Sequence, residues 1–576
     1  MLLLLCILLV AIVLKLFFDA KDIYSDAKSA SNELSGLMQA IKSESFNTAQ
    51  IKVEKVHNII KEARAKLESP VWKIGNIIPK YGKDFKSGVR LLKLVDEMMD
   101  KYVDEGFDIL RETPLSSLKS GNNINVRAIS NYLSLLEDAM PDIEELIDES
   151  STLLDSLNGK GLLKSYSDKI QKVQGYVDLF NNAKSYIPLL DVVLSGGEDR
   201  NYIIVAQNTA EIRASGGFPG AMGMMSIKNG YLNIGGFSSV TNFLPSEIHD
   251  WSLVSDIEWY LFDVYMQYPR DACYDPYFPT VARIWAESYE WWHGQHIDGI
   301  ISLTPAIIQD ILAVTGSVTL SNGVVLDGTN TTKYIQGDIY IEYMNSDMIA
   351  YYGGYTIPNE ITDGLFAEVA QLALSQAFSH INTETVPRYL EVVEKRIKDR
   401  VIMLWMADEE EEAVIKQYGV AGDFNTDPNN PQLGVYYSNC NPGKMGWYLD
   451  LDIKVEDADI LDDGSLRYPV TVSMHNILDW DTAYYAGEYI AGSISIGYLM
   501  SYLYVVAPAG GYISDYWMDN GSPMGDDWYV GNHVAFCKLF YIAPLDTVTA
   551  HFYVTTAPGV DTPLTVVNTP TLQEYR

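Results

Sequence analysis

The sequence predicts a multidomain α+β protein: an N-terminal membrane helix with a helical bundle or stalk, a central α/β domain and a C-terminal β-sandwich. Three observations carry this reading. Residues 1–18, MLLLLCILLVAIVLKLFF, are apolar apart from Lys15. From Asp19 to about Leu190, apolar residues recur at helical spacing and strand signals are absent. Beyond Ser195-Gly196-Gly197, β-branched runs alternate with helical segments, and after about Gly446 only strand-like runs and turn clusters remain.

A spanning helix needs roughly 17–25 apolar residues, so the first run is just long enough to anchor the chain. It lacks a basic leader and a small-x-small cleavage site, which favours an uncleaved anchor over a signal peptide. The expected location is the cell membrane, single-pass, with the bulk extracytoplasmic. Lys15, Lys21 and Lys28 all fall at the end of the run or beyond it, so flanking charge gives that orientation no support.

Residues 19–195 read as five to seven amphipathic helices. Leu34, Leu37 and Ile41 share one face, as do Val56, Ile59, Ala63 and Leu67. Ser69-Pro70, Thr113-Pro114 and Asn158-Gly159 break the pattern.

The α/β domain is expected over residues 196–445. Its strands are Tyr202–Ala206, Met222–Ile227, Tyr231–Ile234, Ile297–Leu303 and Ser317–Leu320, with Asn229-Gly230 as a hairpin turn. Its helices are Thr280–Trp292, Pro305–Val314, Leu365–Ser379 and Val386–Asp399, and Asp408–Glu412 reads as a solvated charge run. The sandwich, 446–576, has strands at Trp447–Val455, Leu466–Met474, Ser501–Val506, His533–Ile542 and Thr547–Thr555.

Charge divides the chain at the same place as pattern. The 576 residues carry 41 Lys+Arg and 76 Asp+Glu, a formal net charge of −35. Residues 1–195 hold 24 basic and 27 acidic side chains, whereas residues 196–576 hold 17 and 49. Nucleic acid and anionic lipid headgroups both need basic patches, so neither fits as the principal ligand. Of the cysteines beyond the apolar run, Cys273, Cys440 and Cys537 permit at most one intrachain disulfide.

Several groupings carry candidate chemistry. Glu211 and Arg213 are two residues apart beside Gln207-Asn208 and the Gly216-Gly217-Phe218-Pro219-Gly220 turn. They form either an anion or glycan pocket or, as the favoured reading, a buried turn that satisfies itself. His293, His296 and Asp298 offer metal-ligand atom types, but Gly294 interrupts the helix. Asp519, Asp526 and Asp527, and the run from Glu456-Asp457-Ala458-Asp459 to Asp462-Asp463-Gly464, are oxygen-rich loops without EF-hand spacing. No cofactor is expected beyond a divalent cation on such carboxylates. Trp480, Tyr484, Tyr485, Tyr489, Tyr498, Tyr502, Tyr504, Trp517 and Trp528 crowd the β part, as core or as sugar-stacking surfaces. P-loop, GxGxxG, HExxH, GxSxG and CxxC motifs are missing from the sequence.

The segment NYIIVAQNTAEIRASGGFPGAMGMMSIKNG (201–230) resembles the hallmark of the bacterial domain-of-unknown-function 4012 family. HIDGIISLTPAIIQDILAVTGSVTL (296–320) and SPVWKIGNIIPKYG (69–82) are similar to further family segments. The resemblance implies a membrane-anchored extracytoplasmic bacterial protein without an assigned activity. A fainter similarity is to the LytR-CpsA-Psr group of glycopolymer transferases, which would give Arg213, Arg270 and Asp271 catalytic roles in clamping a pyrophosphate and a metal. Here Arg213 precedes Ala-Ser-Gly where that group has a Ser-Asp pair. The expectation is a structural or binding role at the cell envelope, leaning away from catalysis, with envelope glycans or other envelope proteins as partners. A divergent phosphotransferase and a carbohydrate-binding surface module are the alternatives.

Overall fold

A computed structural model describes residues 40, 45–68, 82–112, 114, 119–120, 123–157, 186–380, 385–521, 527–530, 533–536 and 538–576. The apolar run 1–18 lies outside them. Among the described residues, no helix is long and apolar enough to cross a membrane. The chain is mixed α+β and divides into two compact units. One comprises residues 1–199 with the hairpin tip Ile227–Asn233, and the other the remainder.

The first unit is built on α1 (Phe46–Leu67), α2 (Gly82–Glu112), α3 (Val126–Asp138), α4 (Met140–Leu157) and α5 (Ile187–Leu194). Val53, Val56, Ile60 and Ala63 of α1 are buried, as are Leu92, Val95 and Met99 of α2 and Ile143, Leu146 and Ile147 of α4. Val56 and Ala63 belong to the stripe read in the sequence, but Ile60 rather than Ile59 is buried between them; Leu34, Leu37, Ile41 and the Leu67 side chain lie outside the described residues. One carboxylate also lies inside: Asp96 accepts from His57 Nε2 at 2.9 Å and from Arg64 Nη1 at 2.6 Å, as a buried charge requires. Two short strands appear where none was expected. Those strands, β1 (Lys119–Ser120) and β2 (Asn123–Asn125), form a hairpin, and β2 pairs with Tyr231 and Leu232. Two or three residues are too few to show periodicity, which is why the sequence conceals them.

The second unit begins with β3 (Arg200–Asn208), β4 (Phe218–Lys228) and β5 (Tyr231–Ser239). Then come α6 (Asp256–Phe262), α7 (Phe278–His293), β6 (Gly299–Leu303) and α8 (Ala306–Thr315). A two-strand ribbon, β7 (Val318–Thr319) with β8 (Val325–Leu326), follows. Short helices over 331–352 lead to α9 (Thr356–Ser379), α10 (Thr385–Lys398), β9 (Ile402–Met406) and α11 (Glu409–Gln417). The sheet order is β5-β4-β3-β6-β9. β6 runs parallel to β3, with Tyr202 opposite Gly299, and antiparallel to β9.

The sandwich starts ahead of the expected boundary at 446, because β10 (Gln432–Asn439) belongs to it. Its further strands are β11 (Leu449–Val455), β12 (Asp459–Ile460), β13 (Leu466–Asn476), β14 (Leu499–Val506), β15 (Tyr512–Met518) and β16 (Asp527–Val530). After these come β17 (His533–Phe536), β18 (Leu539–Ile542), β19 (Thr547–Thr555) and β20 (Thr565–Asn568), with the helix α12 (Trp480–Ala486) inserted after β13. One sheet runs β16-β17-β14-β10-β20, with β18 on β14, and the other runs β11-β13-β19-β15, with β12 on β13.

β10 and β14 are buried on both faces. Leu433, Val435, Tyr437, Leu503 and Val505 enter the sandwich core. Tyr436, Cys440, Met500, Tyr504 and Val506 enter a second core shared with Ile203, Val205 and α7. A strand pair covered on both sides reads as a continuous apolar run, here LMSYLYVV, and welds the α/β and sandwich parts into one unit. Cys273 and Cys440 are free, buried thiols, and Cys537 lies outside the described residues.

The charge run Asp408–Glu412 is solvated only over its first part: Asp408, Glu409 and Glu410 are exposed, Glu411 is half-buried and Glu412 is buried. Asp408 caps α11 by accepting from the amides of Glu410 and Glu411, and the acidic first turn complements the helix dipole. Glu411 pairs with Arg200 at 2.7 Å, while Glu412 turns inward and accepts from Met406 N at 3.0 Å. Burial raises Glu412 to about 7, with the Met406 amide and Lys416 pulling the other way. A carboxyl raised above its unfolded value of about 4.5 stabilises the fold at low pH, and that contribution is lost as pH rises through 7. From pH 5 to pH 8 the second unit is expected to lose about 2 kcal/mol from this group. Glu412→Gln should flatten the dependence in urea unfolding followed across that range; an unchanged slope would refute the assignment.

Candidate functional site

The signature segment 207–217 follows β3 and forms a turn that touches three parts of the second unit. Asn208 ends the strand, accepts from Ala210 N at 3.1 Å and donates Nδ2 to the Tyr340 hydroxyl at 2.8 Å. Ala210 N also reaches Gln336 Oε1 at 2.9 Å. Both tie the turn to the short helices over 331–352. Backbone bonding continues onto β10: Asn439 N donates to Ile212 O at 3.2 Å and Ala214 N to Ser438 Oγ at 2.8 Å. Thr569, beyond β20, donates its hydroxyl to Ala214 O at 3.0 Å.

Two glycines make this approach possible. A Cβ on Gly216, whose φ is +117°, would collide with the Gln207 carboxamide, and one on Gly217 would lie 2.5 Å from Asn208 O. Gln207 is buried beneath Gly216.

The charged residues of the motif point inward. Arg213 Nη1 donates to Ile212 O at 3.0 Å and Asn439 O at 2.9 Å, and its guanidinium lies 4.7 Å from the centre of the Tyr274 ring. Burial opposes its charge, but the surrounding Tyr274, Cys273, Glu211 and Asp271 outweigh it and hold its pKa above the ordinary arginine value. Glu211 forms an ion pair with Lys444, which is buried between the rings of Tyr340 at 4.6 Å and Tyr489 at 5.1 Å. Desolvation works against the Lys444 ammonium too, yet Glu211 keeps it protonated beyond the usual lysine range.

Asp271 is largely buried, and burial raises its carboxyl against the pull of Arg213 and Arg270. Arg270 Nε lies 3.6 Å from Asp271, but its own side chain is 47% exposed. Glu211, Arg213, Asp271 and Arg270 thus form a string from core to surface. Arg213 places its Nη1 on carbonyl oxygens at the buried end, with its Nε buried and unbonded among the described residues, and Arg270 is in solvent at the other. A cleft of ≈ 350 Å3 beside the turn includes Thr209, Thr304, Arg396 and Tyr575, but neither Arg213 nor Arg270.

The metal candidates do not assemble. His293 contacts Phe243 O and stacks on Tyr289, while Asp298 is engaged by Arg200 and by Asn201 N. His296 pairs with Glu290 at 2.8 Å and its Nε2 lies 3.8 Å from Asp298, so two of the three predicted ligands come together without His293. Asp519 accepts from Thr549 N; Asp526 and the side chain of Asp527 lie outside the described residues. In the other loop Asp463 caps Ser465, and Glu456 pairs with Lys454. Among the described residues, the only grouping with metal-like spacing is His57, Asp96 and Asp100, and Arg64 already occupies Asp96.

The sandwich aromatics divide. Tyr504 is buried, and Tyr489, Tyr498 and Tyr502 are partly so, whereas Trp480, Tyr484, Tyr485 and Trp517 are exposed. The Trp528 side chain is outside the described residues. Lys444, Tyr340, Tyr274 and Asn439 had no signal of their own in the sequence; only long-range pairing reveals them.

Residues 197–340 match the family model described as "Protein of unknown function (DUF4012)", a span that contains the whole signature turn. The fainter likeness to the LytR-CpsA-Psr group has no counterpart in the comparisons. No curated protein and no solved structure matches the chain.

Removing one partner of a buried ion pair strands the other charge. Glu211→Ala is expected to destabilise the second unit by about 3 kcal/mol in urea unfolding, and Glu211→Leu with Lys444→Met to recover most of it. Equal losses in the single and double variants would show that the pair is not the relevant interaction.

Proposed function

We propose that the protein is a non-catalytic, glycan-binding component of the cell envelope, held at the membrane by its N-terminal apolar segment. The observation that carries the reading is the solvent face of the sheet β11-β13-β19-β15. Alternation sends Val470, Val472, Phe552 and Val554 into the core and leaves Arg467, Thr471, Ser473, Thr549, His551 and Tyr553 on the other side. Trp517, 52% exposed, stacks on His551 at 3.9 Å with the ring planes 17° apart. Arg467 lies over the Tyr553 ring at 4.0 Å and pairs with Asp515.

An exposed indole bordered by hydroxyls suits a sugar, whose C–H faces stack on aromatic π-clouds while its hydroxyls hydrogen-bond to side chains. The acidity of this part of the chain, 17 basic against 49 acidic residues over 196–576, favours a neutral polymer. The transferase alternative gains nothing from Arg213, which is buried with its Nη1 on the Ile212 and Asn439 carbonyls and lies apart from the exposed Arg270.

The full-length chain should migrate more slowly through native gels containing a soluble neutral glucan or mannan. Trp517→Ala should weaken that retardation at least tenfold. Retardation equal in both proteins, or absent with every neutral polymer tried, would overturn the proposal.

A further inference from the structure

The second unit carries another exposed aromatic surface, on the α/β side and built from different residues. In the segment 249–264 and at the end of α7, Trp251 is 52% exposed, Trp259 40% and Trp291 59%. The rings are connected. Trp251 meets Trp259 edge-to-face at 5.2 Å, and His249, two residues before Trp251, stacks on Trp291 at 4.9 Å with the planes 10° apart. Arg283 Nη2 donates to Leu253 O at 2.9 Å and fixes the Trp251–Leu253 turn on α7. The capping box of Ser255 and Glu258 fixes α6, which presents Trp259. This ridge is therefore held in place by ordered contacts.

Large apolar groups clustered at a surface mark an interaction site more often than scattered ones do. Charge decides the kind of ligand. Asp250 precedes Trp251, Glu258 precedes Trp259, and Glu287 lies one turn before Trp291 on the same helical face, so carboxylates punctuate the ridge. Arg283, the basic residue here, is paired with Glu287 at 3.7 Å. Anionic lipid and phosphate-bearing polymers are disfavoured by those carboxylates. A protein partner, the other common occupant of exposed aromatic clusters, would use the same rings and is separated by the experiment below. Indoles with carboxylates beside them match a chain of neutral pyranoses: C–H faces on the rings and hydroxyls donating to Asp250 and Glu287, whereas Glu258 is held by Ser255 N and Thr280 Oγ1.

We propose that Trp251, Trp259 and Trp291, with Asp250 and Glu287, form a second platform for a neutral glycan. The proposal rests on the reading of the protein as a glycan binder, but not on the sandwich face. Affinity gels with soluble β-glucan, dextran and mannan test it, using the full-length chain and the Trp251→Ala, Trp291→Ala double variant. The double variant is expected to lose at least tenfold in retardation by one of these polymers, with its thermal unfolding midpoint within a few degrees of the parent. Trp517→Ala should leave the remaining ridge-dependent retardation in place, which separates the two sites.

Trp251→Phe with Trp291→Phe should retain most of the binding, because the apolar ring faces persist. Retardation unaffected by the double alanine variant, or absent with every neutral polymer, would overturn the ridge site. Loss of self-association in light scattering, or of binding to phosphatidylcholine vesicles, in place of loss of glycan retardation would overturn it in favour of a protein or lipid surface.

Discussion

The second unit is organised around charges that water does not reach. Arg213 and Lys444 sit inside the fold, and an unpartnered charge there would be prohibitively expensive. Their partners dictate what must come together. Arg213 requires the carbonyl at the end of β10 and the Tyr274 ring, and Lys444 requires Glu211 between Tyr340 and Tyr489. The α/β sheet, the short helices over 331–352 and the sandwich are thereby drawn to one turn. The two-sided burial of β10 and β14 completes the junction with apolar contact. A signature that looks like an anion site in one dimension is an internal clasp in three.

This arrangement also gives the acidity a different meaning. The part of the chain beyond residue 195 has 17 basic residues, and Arg213, Arg396, Arg400 and Lys444 are all buried. Arg396 is gripped by Asp310, and Arg400 lies against Tyr436 and Pro276 O. Scarce cations are placed where they hold structure, and the surface is left more acidic than composition suggests. Rings such as Trp251 and Trp517 are exposed on that acidic surface, the setting from which the proposal of a neutral ligand is argued.

Much of this was legible in the sequence. The helical stripes around Val56 and Ala63, the Asn229-Gly230 hairpin and the alternation in β13 and β19 follow from periodicity and turn chemistry, which act locally. The turn that the sequence suggested would satisfy itself is instead satisfied from outside, by Lys444, Tyr340, Gln336 and Asn439, while the buried Gln207 carboxamide has no hydrogen-bond partner among the described residues. What escaped was long-range. Nothing near Lys444 announces Glu211, 233 residues earlier. The burial of Glu412 depends on β9 standing beside α11, so the last of five consecutive acidic residues reads as solvated like the exposed Asp408, Glu409 and Glu410 until the helix is placed. The boundary at 446 missed β10 because a strand covered on both faces carries no alternation to connect it with the β-rich part.

Accessibility of lysine amines tests the central claim most directly. Under native conditions, amine-reactive labelling of the full-length chain read by mass spectrometry should leave Lys444 unmodified while exposed Lys454 and Lys398 react fully; unfolding in urea should abolish the difference. Labelling of Lys444 in the native protein at the rate of Lys454 would contradict the buried clasp and the architecture that depends on it.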